Sequence, residues 1–251
     1  MKIIKKIKAR LHPSKIKTKI LQFTLKGNDV ECICCGGKFL TFLPAGIVKR
    51  ANARCPKCGA LERHRTIWMF FKNETNLFSS KLDVLNVAPE RLFYKKLNSI
   101  KNISYTSIDL QPESYDYGNK TTAMDLTDLK FEEKSFDVII CNHVLEHIPN
   151  DAKAMSEMFR VLRQDGWAVI NVPVNNNSDT TIEDVTINDP IKQLELYGQP
   201  DHVRVYGKDY VTRLENAGFK VKVIPYTKAF THNERFKFGF KLEENIYLCT
   251  K

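Results

Sequence analysis

Four thiols carry the most specific chemical signal in the chain. Cys32 and Cys35 open one C-x-x-C-G turn, Cys55 and Cys58 open a second, and 19 residues separate the two. Each turn presents two thiolates on one side, and the glycine that follows lets the backbone bend beneath the sulfurs. Four sulfurs at this spacing predict a zinc ribbon whose closed tetrahedral shell makes the ion structural. Cys34 is left over, either competing with Cys32 or sitting beside the site. A second polar group, Asn142, His143, Glu146 and His147, follows the apolar run 138–141. Imidazole titrates near neutrality, so His143 and His147 are candidate general bases for a hydroxyl acceptor, and so is His202. Each could instead pack or hydrogen-bond. Asp201, Arg204 and Tyr206 flank His202 in sequence and are candidate acceptor contacts, with Arg204 suited to an anionic group. His64 and Arg65, just after the second cysteine pair, are candidate substrate contacts or simply part of a charged helix face.

These groups need a scaffold, and the pattern of apolar runs supplies one. Residues 84–88, 105–109, 121–125, 136–141, 167–172, 219–225 and 245–249 read as buried strands. Helices are expected over 89–100, with Pro89 at the first position, over 151–162 and over 208–217. The alternation predicts an α/β fold with a doubly wound, mostly parallel, Rossmann-like seven-stranded sheet and a small N-terminal zinc ribbon. Open sheets of this kind place ligands at the carboxyl ends of their strands, where residues 142–147 fall. The expected organisation is a basic arm over 1–26, the ribbon over 27–62 with a strand at 39–43, and a connecting helix over 63–80. The main domain then takes 81–251, with a polar insertion at about 174–205.

The net charge of +10 is concentrated in the arm, which carries nine Lys/Arg and no acid. Beyond it, thirty basic residues face all 29 acidic ones, so the high isoelectric point says little about the body of the protein. Ile3, Ile4, Ile7 and Leu11 recur at helical spacing among the lysines, as do Ile16, Ile20 and Leu21 beyond Pro13. Such a segment stays solvated, lies on anionic lipid through residues 1–22, or binds RNA. No apolar run reaches the roughly 18 residues that span a bilayer, and no export signal is recognisable. Seven cysteines in that setting suggest a reducing cytoplasm, with peripheral contact at the inner membrane surface as an option.

From residue 82 to about 250 the chain resembles the class I S-adenosylmethionine-dependent methyltransferases. The resemblance is carried by Asp125-Leu126-Thr127-Asp128-Leu129-Lys130-Phe131, Ser135-Phe136-Asp137-Val138, His143-Val144-Leu145-Glu146-His147 and the turn 160–167. It implies S-adenosylmethionine as cofactor, Asp125 at the adenine amino group and the Leu126 backbone at the ring edge. Asp109 follows Val87 by 22 residues, near the roughly 20-residue offset at which an acid meets ribose hydroxyls; Leu110 lies beside it. The sequence departs from the family at the first loop, where Asn86-Val87-Ala88-Pro89-Glu90 replaces the glycine-rich turn. Asn86, Ala88, Pro89 and Glu90 then become the cofactor-lining residues, with Glu90 either supplying the missing charge or capping a helix. Asn142 and His143 fall near the methyl-transfer point. Together with the ribbon, the domain resembles bacterial methyltransferases linked with glycan biosynthesis.

The expected reaction is in-line methyl transfer to a small polar acceptor, with O-methylation of a sugar or glycan precursor preferred. An RNA methyltransferase using the ribbon and arm is the enzymatic alternative. A cofactor-binding or scaffold protein without turnover is the third reading, motivated by the altered first loop.

Overall fold

The structure, a computed structural model, describes residues 15–115, 117 and 120–251, and of 15–19 the backbone alone. Most of the basic arm, including Ile3, Ile4, Ile7 and Leu11, thus lies outside the described residues. What is described of it is a helix, α1 (Lys15–Thr24), that presents Ile20 and Phe23 to solvent. The chain then groups into two units, residues 1–78 with 225–245 and residues 79–224 with 246–251.

Among the described residues the first unit holds two hairpins and, with α1, three α-helices. Strands β1 (Lys26–Cys32) and β2 (Gly37–Phe39) pair antiparallel, as do β3 (Leu43–Ala45) and β4 (Arg50–Arg54). The single strand expected over 39–43 is interrupted, because the Phe42 amide donates to Asn52 Oδ1 at 2.9 Å and its ring turns inward. Helix α2 (Glu62–Glu74) follows, with Ile67, Trp68, Phe70 and Phe71 buried. The return segment 225–245, expected in the main domain, belongs here and carries helix α7 (His232–Phe238). The physical reason is Arg65. Its buried guanidinium donates to the carbonyls of Ala60, Phe238 and Gly239 at 2.7 Å each and lies 4.1 Å from the Phe42 ring centroid. It thereby satisfies helix-end carbonyls that would otherwise lack donors. Asn52 donates to Phe236 O, and the Tyr226 ring meets Phe70 edge-on.

The second unit is the doubly wound sheet. Its strands are β5 (Leu82–Val87), β6 (Ile103–Asp109), β7 (Thr122–Ala123), β8 (Phe136–Asn142), β9 (Leu162–Asn171), β12 (Lys220–Ile224) and β13 (Ile246–Thr250). Their spatial order is β12-β13-β9-β8-β5-β6-β7, with β13 antiparallel to both neighbours and the other pairings parallel. The last four residues of β5 and all of β8 except Asp137 are buried, which is why these stretches read as continuous apolar runs. Helices α3 (Arg91–Leu97), α4 (Asp151–Val161) and α6 (Tyr210–Asn216) flank the sheet elements in sequence. Met155, Met158 and Val161 of α4 and Leu214 of α6 enter one core with Leu85, Ile139 and Ile170. Helix α3 starts two residues after Pro89, with Glu90 as its N-cap.

The polar insertion is structured. It holds the short antiparallel pair β10 (Ile182–Glu183) and β11 (Arg204–Val205) and helix α5 (Pro190–Tyr197). Asp189 caps α5 by accepting from the Ile191 and Lys192 amides, and Gly198 closes it with a left-handed φ of 77°. Among the described residues no helix is long and apolar enough to cross a membrane.

Candidate functional site

The strand order reverses at β5: the chain moves outward through β6 and β7, then returns to lay β8 on the other side. The crevice beyond the carboxyl ends of β5 and β8 is therefore the topological switch point of the sheet. Two expected cofactor residues meet across it, with Asn142 Nδ2 donating to Glu90 Oε2 at 3.1 Å. Asn142 Oδ1 is buried there without a hydrogen-bond partner. The backbone on both sides of the crevice is held in the left-handed region, with φ of 43° at Ala88 and 56° at His143. Non-glycine residues reach this conformation at a cost of roughly 1–2 kcal/mol. The loop has thus kept a turn of the kind glycine makes easily, at an alanine. The Ala88 amide donates to Ile108 O and the His143 amide to Asn171 O, both at 2.7–2.8 Å, so strand partners over-determine the two strained positions.

Asn86 corrects one expectation. Its buried amide donates to the Tyr105 hydroxyl at 3.1 Å, which makes it a link between β5 and β6. Asp109 ends β6 as expected, largely buried, with Oδ1 accepting the Gln111 amide at 2.7 Å; Leu110 beside it is exposed. Asp125 forms a turn, accepting from both the amide and the hydroxyl of Thr127 at 2.8 Å, while Leu126 is buried in the core. The loop 125–131 is held by α4. Arg160 pairs with both oxygens of Glu157, donates to Leu129 O and Phe131 O at 2.8 Å, and Glu157 Oε2 accepts the Leu129 amide at 3.0 Å. Pairing with Arg160 holds the Glu157 carboxyl below its usual range.

The histidines are brought together by a stitch between distant segments. A short 3₁₀ turn, Leu145–His147, follows β8. Arg204 of β11 is fully buried and donates to the carbonyls of Leu145, Ile148 and Pro149 and to Glu183 Oε2, while the Val203 amide donates to Glu146 O. Asp201 and His202 consequently lie against the turn. His147 Nδ1–H donates to Asp201 O at 2.9 Å, and the rings of His147 and His202 meet edge to face with centroids 4.7 Å apart. His143 Nδ1–H donates to Glu146 Oε1 at 3.2 Å, and Glu146 Oε2 is buried without a partner. Burial, then the nearby His147, pushes His202 below its ordinary value and so favours the neutral imidazole.

Four expected substrate contacts are reassigned by this geometry. Arg204 positions the 145–149 turn, and Tyr206 is buried with its hydroxyl donating to Asp151 Oδ2 at 2.7 Å. Arg65 holds the first unit together as described. His64, also buried, accepts the Leu61 amide at Nδ1 and so closes the start of α2. A concavity of about 460 Å³ lined by Asp151, Glu183, Arg204 and Arg213 lies beside the stitch, but its charges already pair with one another. The sequence reading missed an aromatic row: Tyr105, Tyr94, Tyr117 and Tyr115, successive ring centroids 5.2–6.1 Å apart. Burial followed by the neighbouring Asp109 charge pushes Tyr115 up to about 12, which places this row at the end of β6. The Tyr-x-Tyr pair at 115 and 117 in a polar loop was the available signal.

In the first unit the two cysteine turns converge. Cys32 Sγ lies 3.6 Å from Cys58 Sγ, Cys35 Sγ lies 3.7 Å from Cys55 Sγ, and all four sulfurs fall within 4.8 Å of one another. Sulfurs about 2.3 Å from one tetrahedral ion stand about 3.8 Å apart, so the cage fits such an ion. Hydrogen bonds from Cys32, then Cys55 and Cys58, hold Cys35 well below the usual thiol range, while hydrogen bonds with neighbouring thiols push Cys32, Cys55 and Cys58 above it. Cys34 stands outside the cage with its thiol toward His64 O at 3.6 Å.

An open seven-stranded sheet with an acid ending its second strand and a polar crevice at the switch point has the class I methyltransferase architecture. Residues 91–170 match the methyltransferase domain family. The chain is 33% identical over 76 residues to the uncharacterized methyltransferase YcgJ of Bacillus subtilis, covering 30% of this chain and 28% of that one. It is 36% identical over 61 residues to an uncharacterized protein of Methanocaldococcus jannaschii, covering 24% and 25%. The matched stretch thus spans little more than a quarter of either relative. Solved structures with the same fold include S-adenosylmethionine-dependent methyltransferases of Archaeoglobus fulgidus (TM-score 0.51, 16% identity, covering 74% of this chain and 93% of that one) and Mesorhizobium loti (0.51, 13%, 74% and 98%). The [4+2]-cyclase SpnF shares it too (0.52, 12%, 76% and 83%), so the fold alone does not dictate methyl transfer.

Proposed function

We propose that the protein is an S-adenosylmethionine-dependent methyltransferase whose acceptor is a small polar molecule, with O-methylation of a sugar or glycan precursor as the preferred case. The observation that supports it most is the Glu90–Asn142 contact at the switch point. A carboxylate and a buried, unpartnered amide oxygen converge there, suited to a cofactor that carries an ammonium and a sulfonium. The cofactor would supply an electrophilic methyl group. Asp109 would hold the ribose hydroxyls, and the 125–131 loop, fixed by Glu157 and Arg160, would hold the adenine. Water exclusion and alignment would contribute most of the rate. His147 and His143 are both partly exposed at the end of β8, and either is placed to take a proton from an acceptor hydroxyl.

The cysteine cage is read as a structural zinc site with no part in the chemistry. Peripheral membrane contact through residues 1–22 is the partner reading for the arm, supported by the exposed Ile20 of α1. Liposome binding that survives removal of residues 1–22 would dismiss it. The acceptor is tested with radiolabelled methyl donor against sugar, nucleotide-sugar and RNA pools. Label is expected in the carbohydrate fractions; label in RNA, with steeply salt-dependent binding that maps outside the arm, would replace the sugar reading.

A further inference from the structure

We propose that Glu146, His147 and His202 form a second metal site, for a divalent transition-metal ion bound by two imidazoles and one carboxylate. One ligand atom from each residue lies within 4.8 Å of the other two. Bonds of about 2.0–2.2 Å are reached if each atom moves inward by less than about 1 Å. The arrangement is over-determined by the fold. Arg204 and the Val203 amide fasten the insertion to the Leu145–His147 turn, and this alone brings His202 to His147 across 55 residues of sequence.

Three further features point to a cation. His147 gives its Nδ1–H to the Asp201 carbonyl at 2.9 Å, which fixes the tautomer and leaves Nε2 with a free lone pair. Histidines that ligate metals are oriented in this way by a carbonyl or carboxylate on the other nitrogen. The His202 ring likewise lies beside the backbone of Tyr197. Glu146, with a side chain 2% exposed, keeps Oε2 buried and unpartnered although Oε1 accepts from His143. A buried carboxylate oxygen without a donor is costly, and a metal ion would compensate it.

The ligand set argues for the class of ion. Two imidazoles and a carboxylate favour zinc, iron(II), cobalt or manganese over calcium and magnesium, which prefer oxygen. Three protein ligands leave coordination positions open, unlike the four-thiolate cage of the first unit. An ion on His147 Nε2 leaves that ring no free nitrogen for a proton, so His143 is then the base; metal binding is measured without turnover, and the two readings fail separately.

The test uses the full chain loaded with zinc at the cysteine cage and titrated with cobalt(II), bound metal being counted after equilibrium dialysis. One cobalt per chain is expected beyond the zinc, with ligand-field absorption but without the thiolate-to-cobalt charge-transfer band. Glu146→Gln and the partly exposed His147→Gln should each weaken it at least ten-fold, and the His147→Gln/His202→Gln pair at least a hundred-fold. Failure of the native protein to bind a second ion would overturn the site. So would unchanged cobalt affinity in His147→Gln, a substitution at a position exposed enough to leave folding intact. In either case the His147–His202 contact would be simple ring packing.

Discussion

The cysteine cage and the Glu146–His147–His202 cluster both gather metal-ligating side chains, yet they are built in opposite ways. The cage is assembled from two turns, each of which carries its geometry in five consecutive residues, and the hairpins need only bring the turns together. The histidine cluster has no local motif. It exists because Arg204, buried on β11, spans three carbonyls of a turn 55 or more residues earlier. A site made of turns is written in spacing; a site made by a stitch depends on a residue that is not part of it.

Breaking each construction should therefore give different losses. The largest is expected at the cage, where structural zinc binding in small modules is worth on the order of 10 kcal/mol of apparent folding energy. Cys55→Ser should abolish zinc retention and remove the thermal transition of the first unit, read by calorimetry alongside metal content. Arg204→Met comes next. It leaves the Leu145, Ile148 and Pro149 carbonyls without their donor and Glu183 without one of its cations, at a cost of about 3–5 kcal/mol. Chemical denaturation should report that loss together with loss of cobalt binding, whereas the cage keeps its zinc.

Glu157→Gln should cost about 1.5–3 kcal/mol and weaken cofactor binding several-fold by releasing the 125–131 loop. The pH dependence has a definite sign. The folded-state value of Glu157 lies below its ordinary 4.5, so its contribution is complete above about pH 4.5 and is lost as pH falls through the folded value. The stability gap between native protein and variant should therefore shrink on acidification below that point. An unchanged gap would show that the carboxylate charge is not what holds the loop. The smallest effect is expected at the crevice itself, where Ala88→Gly relieves a φ of 43° and should stabilise the unit by about 1 kcal/mol or less.

Much of this was legible in the sequence, for reasons that can be named. The strands of the sheet announced themselves because β5 and β8 are buried on both faces, and Asp109 and Asn142 because they end such strands. Asn86 was misread because its strand position was visible but its neighbour, Tyr105 on β6, was not. Arg65, Arg204 and Tyr206 have the chemistry of ligand-binding residues, and that chemistry equally serves carbonyls and carboxylates inside the protein. Nothing in residue type separates the two uses; burial does. The return of 225–245 to the first unit was hidden for the same reason, since the carbonyls to which Arg65 donates lie more than 170 residues away.

The altered, glycine-free first loop is expected to keep a cofactor site at the switch point. Titration calorimetry of the zinc-loaded protein with S-adenosylmethionine tests it most directly. The account predicts one molecule bound per chain, with affinity reduced at least ten-fold in Asp109→Ala and in Glu90→Gln. No binding at millimolar cofactor, or binding indifferent to both substitutions, would contradict it.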